Sequence, residues 1–158
     1  MKRIAVFPGS FDPFTIGHEY IANQALNLFD QIIIAVGMNT NKQDYFPIEK
    51  RMQWIREVFI KVEKISVNQY DGLTIDFCRK VDANFILRGL RTSSDFEYER
   101  SIAQVNKVMA PEIESIFILT APEYSAVTST LVRDIIRHGG DASKFLPNSN
   151  DLRNFHIS

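Results

Sequence analysis

Five short apolar runs recur along the chain: RIAVF at 3–7, QIIIAV at 31–36, ISVNQY at 65–70, NFILR at 84–88 and SIFILT at 115–120. They are rich in Ile, Val and Phe, and some are almost continuous in apolar character. That pattern suits strands buried on both faces of a parallel sheet. Parallel strands need crossover connections, and the intervening segments carry helical spacing. Ile21, Ala25 and Leu28 mark a helix over 18–29, and Met52, Ile55 and Phe59 mark one over 48–60 behind Pro47. A shorter helix is expected over 73–81. Ser94 and Glu97 have capping-box spacing at the start of a helix carrying Ile102, Val105 and Met109, with Pro111 beyond its end. A last long helix opens at Thr128-Ser129-Thr130, turns Leu131, Ile135 and Ile136 inward and stops at Gly139-Gly140. A short helix is expected after Pro147.

The resulting β-α alternation predicts an α/β fold: a Rossmann-like, doubly wound, five-stranded parallel sheet with helices on both faces. The length, 158 residues, suits one domain spanning 1–158. Such sheets bind ligands outside the carboxyl ends of their strands. Candidate site residues should therefore cluster at 8–18, 37–47, 70–74, 88–99 and 120–130.

After the first strand, Gly9, Ser10 and the pair Gly17-His18 combine turn-forming glycines with a histidine at a helix start. These residues read either as a plain turn or as an anion site. Neither a Rossmann glycine fingerprint nor a Walker A pattern is present. Lys42 follows the second strand in a polar stretch, where a lone lysine is ordinarily a solvated charge. Arg88-Gly89-Leu90-Arg91 places two arginine forks behind the fourth strand, a phosphate-compatible arrangement. Three consecutive hydroxyls at 128–130 offer a further anion cradle, although one would suffice as a cap. Together these places point to a phosphate-rich substrate, a nucleotide, with chemistry at phosphorus.

Composition excludes several alternatives. A net charge of −1 does not favour a nucleic-acid partner. One cysteine, Cys78, rules out an intrachain disulfide and a thiolate metal cluster, and three scattered histidines do not suggest zinc. No run approaches a membrane span, and the apolar part of MKRIAVFPGS is too short for a signal peptide. A cytoplasmic protein without a membrane partner is expected.

PGSFDPFTIGH resembles the T-x-G-H signature of the nucleotidylyltransferase superfamily. With RGLR, DFEYE, TSTLVR and GDASKFLP it is similar to the phosphopantetheine adenylyltransferase family over nearly the whole chain. The resemblance implies transfer of AMP from ATP to 4′-phosphopantetheine, with Mg²⁺, in a homohexamer. It implies that His18 stabilises the transition state. Ser10, Lys42, Thr74 and Arg88 would contact phosphopantetheine. Ser10, Phe11, His18, Gly89, Leu90, Arg91, Glu99, Tyr124, Ser125, Ala126, Val127, Thr128, Ser129 and Thr130 would contact ATP. The family usually has threonine where Ser10 stands and serines at Thr128 and Thr130; each exchange keeps a hydroxyl. Thr74 falls in a variable stretch, where a backbone contact would serve.

The chemistry agrees with the absence of an evident base. A phosphate monoester, with its second pKa near ~6, is largely a dianion at neutral pH and needs charge neutralisation rather than deprotonation. A cytidylyltransferase-type enzyme and a non-catalytic nucleotide sensor are the competing readings. RGLR with DFEYE argues against the first, and retention of His18 and the arginine pair against the second. An aminoacyl-tRNA synthetase would need tRNA-binding parts for which this chain is too short.

Overall fold

A computed structural model describes residues 1–38 and 43–148. The five strands are β1 (Ile4–Gly9), β2 (Gln31–Gly37), β3 (Ile65–Tyr70), β4 (Phe85–Leu90) and β5 (Glu114–Leu119). The helices are α1 (Ile16–Ala25), α2 (Ile48–Val58), α3 (Thr74–Lys80), α4 (Ser93–Met109) and α5 (Ser129–Arg137). All strands are parallel in one sheet of order β3-β2-β1-β4-β5. The expected α/β architecture is the observed one.

Side-chain alternation explains the continuous apolar runs. Ala5, Phe7, Ile32, Ile34, Val36 and Leu87 face one cluster, shared with Ile21, Ala22 and Ala25 of α1 and Met52 and Ile55 of α2. Val6, Ile33, Ala35 and Ile86 face the other, with Ile75, Phe77 and Cys78 of α3. A third cluster joins Phe46 and Trp54 to Val132 of α5 and Leu146.

Register positions the cleft. β1 pairs with β2 along its whole length, from Ile4↔Gln31 to Gly9↔Val36. It pairs with β4 only at Ala5↔Phe85 and Val6↔Ile86. Beyond Val6 these neighbours part, at the point where the strand order reverses, and a crevice opens between their carboxyl ends. Pro8, with no N–H to contribute, sits in the stretch that β4 no longer pairs.

Several boundaries differ from expectation. β1 runs to Gly9 and β4 to Leu90, so Gly89 and Leu90 extend the strand that carries Arg88 rather than forming the loop behind it. Helix α1 begins at Ile16 and ends at Ala25. The cap of α4 is Thr92, whose hydroxyl accepts from Asp95 N–H, so Ser94 lies inside the helix instead of capping it. Thr92 has the extended backbone that a cap needs. In α5, Val132 is buried while Leu131 is half exposed. Ile102, Val105 and Met109 of α4 are exposed rather than packed on the sheet. The helix expected after Pro147 falls largely outside the described residues; a 3₁₀ turn at Ser143–Phe145 precedes Pro147.

Candidate active site

The turn behind β1 is built around a histidine. Thr15 caps α1, and His18 occupies the third helical position, where glutamate completes an ordinary capping box. Thr15 N–H donates to His18 Nδ1 at 2.9 Å, and the Thr15 hydroxyl faces the His18 backbone N–H at 3.5 Å. A ring nitrogen that accepts from a backbone N–H carries no proton. The neutral ring must therefore hold its proton on Nε2, as a donor. Phe11 stands edge-on to the imidazole at 5.0 Å between centroids, and Phe14 lies at 5.3 Å. Burial pulls the His18 pKa from 6.5 down to about 3, with Arg88 and Arg91 adding to the effect. Burial and the two arginines thus favour the neutral ring, which leaves Nε2–H free to act as a donor.

Arg88 bridges the parted strands. Its Nη1 donates to Pro8 O at 2.6 Å, while Nε and Nη2 grip Glu99 of α4 at 2.9 and 2.6 Å. Of the five guanidinium N–H groups, three are engaged in these bonds and two remain for a ligand. The Glu99 carboxylate and the Pro8 carbonyl let this strand arginine sit partly buried without an orphaned charge. Arg91 is held more loosely, its N and Nε each 3.1 Å from Asp95 Oδ2.

The opposite wall is the start of α5. The Thr128 hydroxyl caps Leu131 N–H at 3.1 Å. Ser129 Oγ donates to Pro13 O at 2.8 Å, and Arg133 Nη1 to Asp12 O at 2.7 Å, tying this helix end to the β1 loop. The hydroxyls are thus partly engaged in structure, and the first-turn N–H groups of α5 remain the anion-directed feature.

Two clefts meet at these residues. One, of about 300 Å³, is lined by Ser10, Phe11, His18, Gly89, Arg91, Tyr124 and Val127 to Thr130. The other, of about 470 Å³, is lined by Met38, Tyr70, Thr74, Tyr98, Ile102 and Asn106. Pro8, Gly9, Ser10, Arg88 and Glu99 border both. A larger groove of about 680 Å³ lies beside α1 at Glu19, Tyr20 and Lys144, with no strand end in its wall. Its size does not outweigh the convergence of cations and strand ends at the other two.

The sequence candidates are mostly gathered here. Leu90, Ser125 and Ala126 line neither cleft: Leu90 is buried, and the Ser125 hydroxyl turns back to Pro122 O. Lys42 lies outside the described residues. Thr74 reaches the second cleft, its hydroxyl 2.9 Å from that of Tyr70. Tyr70 and Tyr98 fall within the expected segments 70–74 and 88–99 but were not singled out, and Ile102 and Asn106 lie outside every expected segment, because neutral and apolar walls carry no chemical signature. Thr15 was recoverable, since T-x-x-H has the spacing of a capping box.

Among the described residues no three His, Cys, Asp or Glu side chains converge as a metal site, and the cleft carboxylates Asp95 and Glu99 are engaged by arginines. A Mg²⁺ ion held mainly by substrate phosphates and water needs no such cluster.

The cytidylyltransferase-like family profile matches residues 6–135. A phosphopantetheine adenylyltransferase of Bacteroides fragilis is 48% identical over 150 residues, covering 95% of this chain and 99% of that protein. One from Flavobacterium psychrophilum is 50% identical over 145 residues, covering 92% and 95% respectively. Among solved structures, a bifunctional NMN adenylyltransferase/ADP ribose pyrophosphatase of Francisella tularensis superposes with a TM-score of 0.73 at 21% identity, over 98% of this chain and 48% of that one, a likeness of fold. With the neutral histidine donor, the bridging arginine and the paired clefts in place, these similarities establish that the chain belongs to the phosphopantetheine adenylyltransferases, nucleotidyltransferases of the cytidylyltransferase-like family.

Proposed function

We infer that this chain transfers the adenylyl group of ATP to 4′-phosphopantetheine, giving dephospho-coenzyme A and pyrophosphate. The observation that carries the reading is Arg88, which borders both clefts and keeps two N–H groups for a ligand. ATP occupies the cleft of His18, Arg91 and the α5 start. The acceptor occupies the cleft of Thr74 and Tyr70, with its phosphate at Arg88 and Ser10. An oxygen of that phosphate attacks the α-phosphorus, the new P–O bond forms, and the bond to pyrophosphate breaks. No proton has to be removed from the dianion, which accords with a histidine kept neutral. His18 Nε2–H donates to the α-phosphate oxygen, where charge shifts in the transition state. Lys42 adds a cation to the acceptor phosphate, a role that rests on the family resemblance.

Mg²⁺ enters as part of the MgATP substrate, held by phosphate oxygens, a common mode for this ion. The working form is a cytoplasmic homohexamer. Supporting assembly, α4 and the β5 edge leave Tyr98, Val105, Val108 and Leu119 exposed, an apolar surface of the kind that subunits bury.

The test is a pyrophosphate-release assay crossing ATP and CTP with phosphopantetheine, glycerol phosphate and nicotinamide mononucleotide. ATP with phosphopantetheine is the pair expected to turn over well. Equal or better rates with CTP or another acceptor would overturn the assignment.

A further inference from the structure

Arg51, in the first turn of α2, has no part in the chemistry described above, yet its side chain is 0% exposed. Its guanidinium reaches two different loops. Nη1 donates to Ser10 O in the loop behind β1, and Nε donates to Phe46 O at 2.9 Å behind β2. Nη2 lies 2.8 Å from Asp44 Oδ2 as an ion pair, without hydrogen-bond alignment. Asp12 fastens the same two loops from the other side: its carboxylate accepts Tyr45 N–H at 2.8 Å and Phe46 N–H at 2.9 Å.

A buried cation is a costly way to gain stability, since an apolar side chain of similar volume often does as well or better. Here the cost supports geometry. The planar fork fixes the Ser10 carbonyl and the Phe46 carbonyl at one spacing. Ser10 borders both clefts, and Gly37, the last residue of β2, and Met38 border only the second.

We propose that Arg51 is a positioning residue for the acceptor cleft, holding the Ser10 turn against the 43–46 segment so that Ser10 meets the acceptor phosphate. The proposal rests on the adenylyl-transfer reading. Its effect passes through Ser10, which that reading places at the acceptor phosphate, so it acts on acceptor use more than on ATP binding.

The experiment compares wild type with Arg51→Lys and Arg51→Met. It reads thermal unfolding, the ATP dissociation constant, and kcat and KM for phosphopantetheine with the intact chain. Wild-type turnover is measured first; its absence would sink the transfer reading and not this one alone. Arg51→Lys keeps the charge and loses the fork. It is expected to lower kcat/KM for phosphopantetheine at least tenfold, while ATP affinity stays within about threefold. Arg51→Met should do worse on the acceptor without a matching loss of ATP affinity. Parallel losses for both substrates, or a loss that only follows the unfolded fraction, would overturn the proposal. Should the Arg51 variants not fold, Asp44→Ala decides. This residue is 41% exposed and removes one arm of the network. A rise of at least threefold in phosphopantetheine KM with ATP affinity unchanged supports the proposal, and equal changes refute it.

Discussion

The two clefts that meet at Arg88 are built from different materials. The first is crowded with polar, directional groups: His18 Nε2, Arg91, and the N–H groups and hydroxyls that open α5. The second adds to the shared Ser10, Arg88 and Glu99 an apolar and aromatic wall of Met38, Tyr70, Tyr98, Ile102 and Phe117, with Asp71, Thr74, Asn106 and Ser115 as its own polar points. The division suits the two substrates assigned to them. A triphosphate needs several fixed donors, whereas an acceptor with one phosphate and a long neutral arm needs one strong anchor and an apolar wall. It also separates two kinds of failure: changes in the first cleft should damage the chemical step, and changes at the anchor should damage acceptor binding.

The sharpest way to break this division is at His18. His18→Ala should lower kcat at least ~10²-fold while ATP affinity falls much less. A donor aimed at developing charge acts chiefly in the transition state, and losing one costs roughly 3–4 kcal/mol. The groups proposed to hold ATP at Gly89, Arg91 and 127–130 are left in place. His18→Gln should recover little. Measuring kcat and the ATP dissociation constant side by side decides the matter, because a kcat within about threefold of wild type would remove His18 from the mechanism.

Arg88→Ala should come next. Its charge-assisted bonds to the acceptor phosphate are worth ~1.5–3 kcal/mol each, so phosphopantetheine KM should rise by at least about tenfold. ATP binding should weaken far less. The variant also leaves Glu99 nearly buried with no cation, which should lower the melting temperature. Titration of both ligands checks the first expectation, and equal weakening would mean that the anchor is not specific to the acceptor.

A smaller effect is expected at Gly89, which borders only the first cleft. A Cβ there would lie 2.9 Å from Ile21 Cγ1, so alanine requires the buried Ile21 side chain, one turn from His18 on α1, to shift. Overpacking of this kind costs about 1–3 kcal/mol. Gly89→Ala should reduce kcat several-fold and leave acceptor KM nearly unchanged. Adding Ile21→Ala should restore part of the rate. A rise in acceptor KM without a fall in kcat would contradict the division.

The same contrast governs what could be read from the sequence. The strand pattern was legible because both sheet faces are buried, so β1 and β2 announce themselves as unbroken apolar runs. His18, Arg88 and the hydroxyls at 128–130 were legible because phosphate chemistry needs unusual residue types at strand ends. Tyr70, Tyr98 and Ile102 were not, since the same residues in another setting would be ordinary core or surface. Helix caps were half legible. Ser94 and Glu97 have the right spacing, but Thr92 takes the extended backbone first, and Asp95 is then fixed by both Thr92 and Arg91. Arg51 gave no signal, because its value lies in reaching carbonyls 41 and 5 residues away in sequence.

The smallest effect concerns acid and follows from the same histidine. In the folded chain His18 stays neutral down to about pH 3, whereas an unfolded chain takes up the proton near 6.5. Between those values the unfolded state binds more protons, so the His18 contribution to stability falls as pH falls from about 6.5 toward 3. The exposed carboxylates Asp30 and Glu112, held low by Arg3 and Arg79, lose their own support in acid too, but they do so in any variant. Comparison with His18→Gln therefore isolates the imidazole, since glutamine can accept from Thr15 N–H and does not titrate. The stability of wild type relative to His18→Gln should be constant above about pH 7.5 and should decline by about 1–2 kcal/mol on going to pH 5. Denaturant unfolding of both proteins at a series of pH values measures it. Wild-type activity should still show a mild acid-side fall near pH ~6, set by the acceptor phosphate, and residual activity of His18→Gln should show the same limb. Parallel stability curves for the two proteins would mean that His18 gains its proton in the folded state, and the neutral donor that distinguishes the first cleft from the second would be lost.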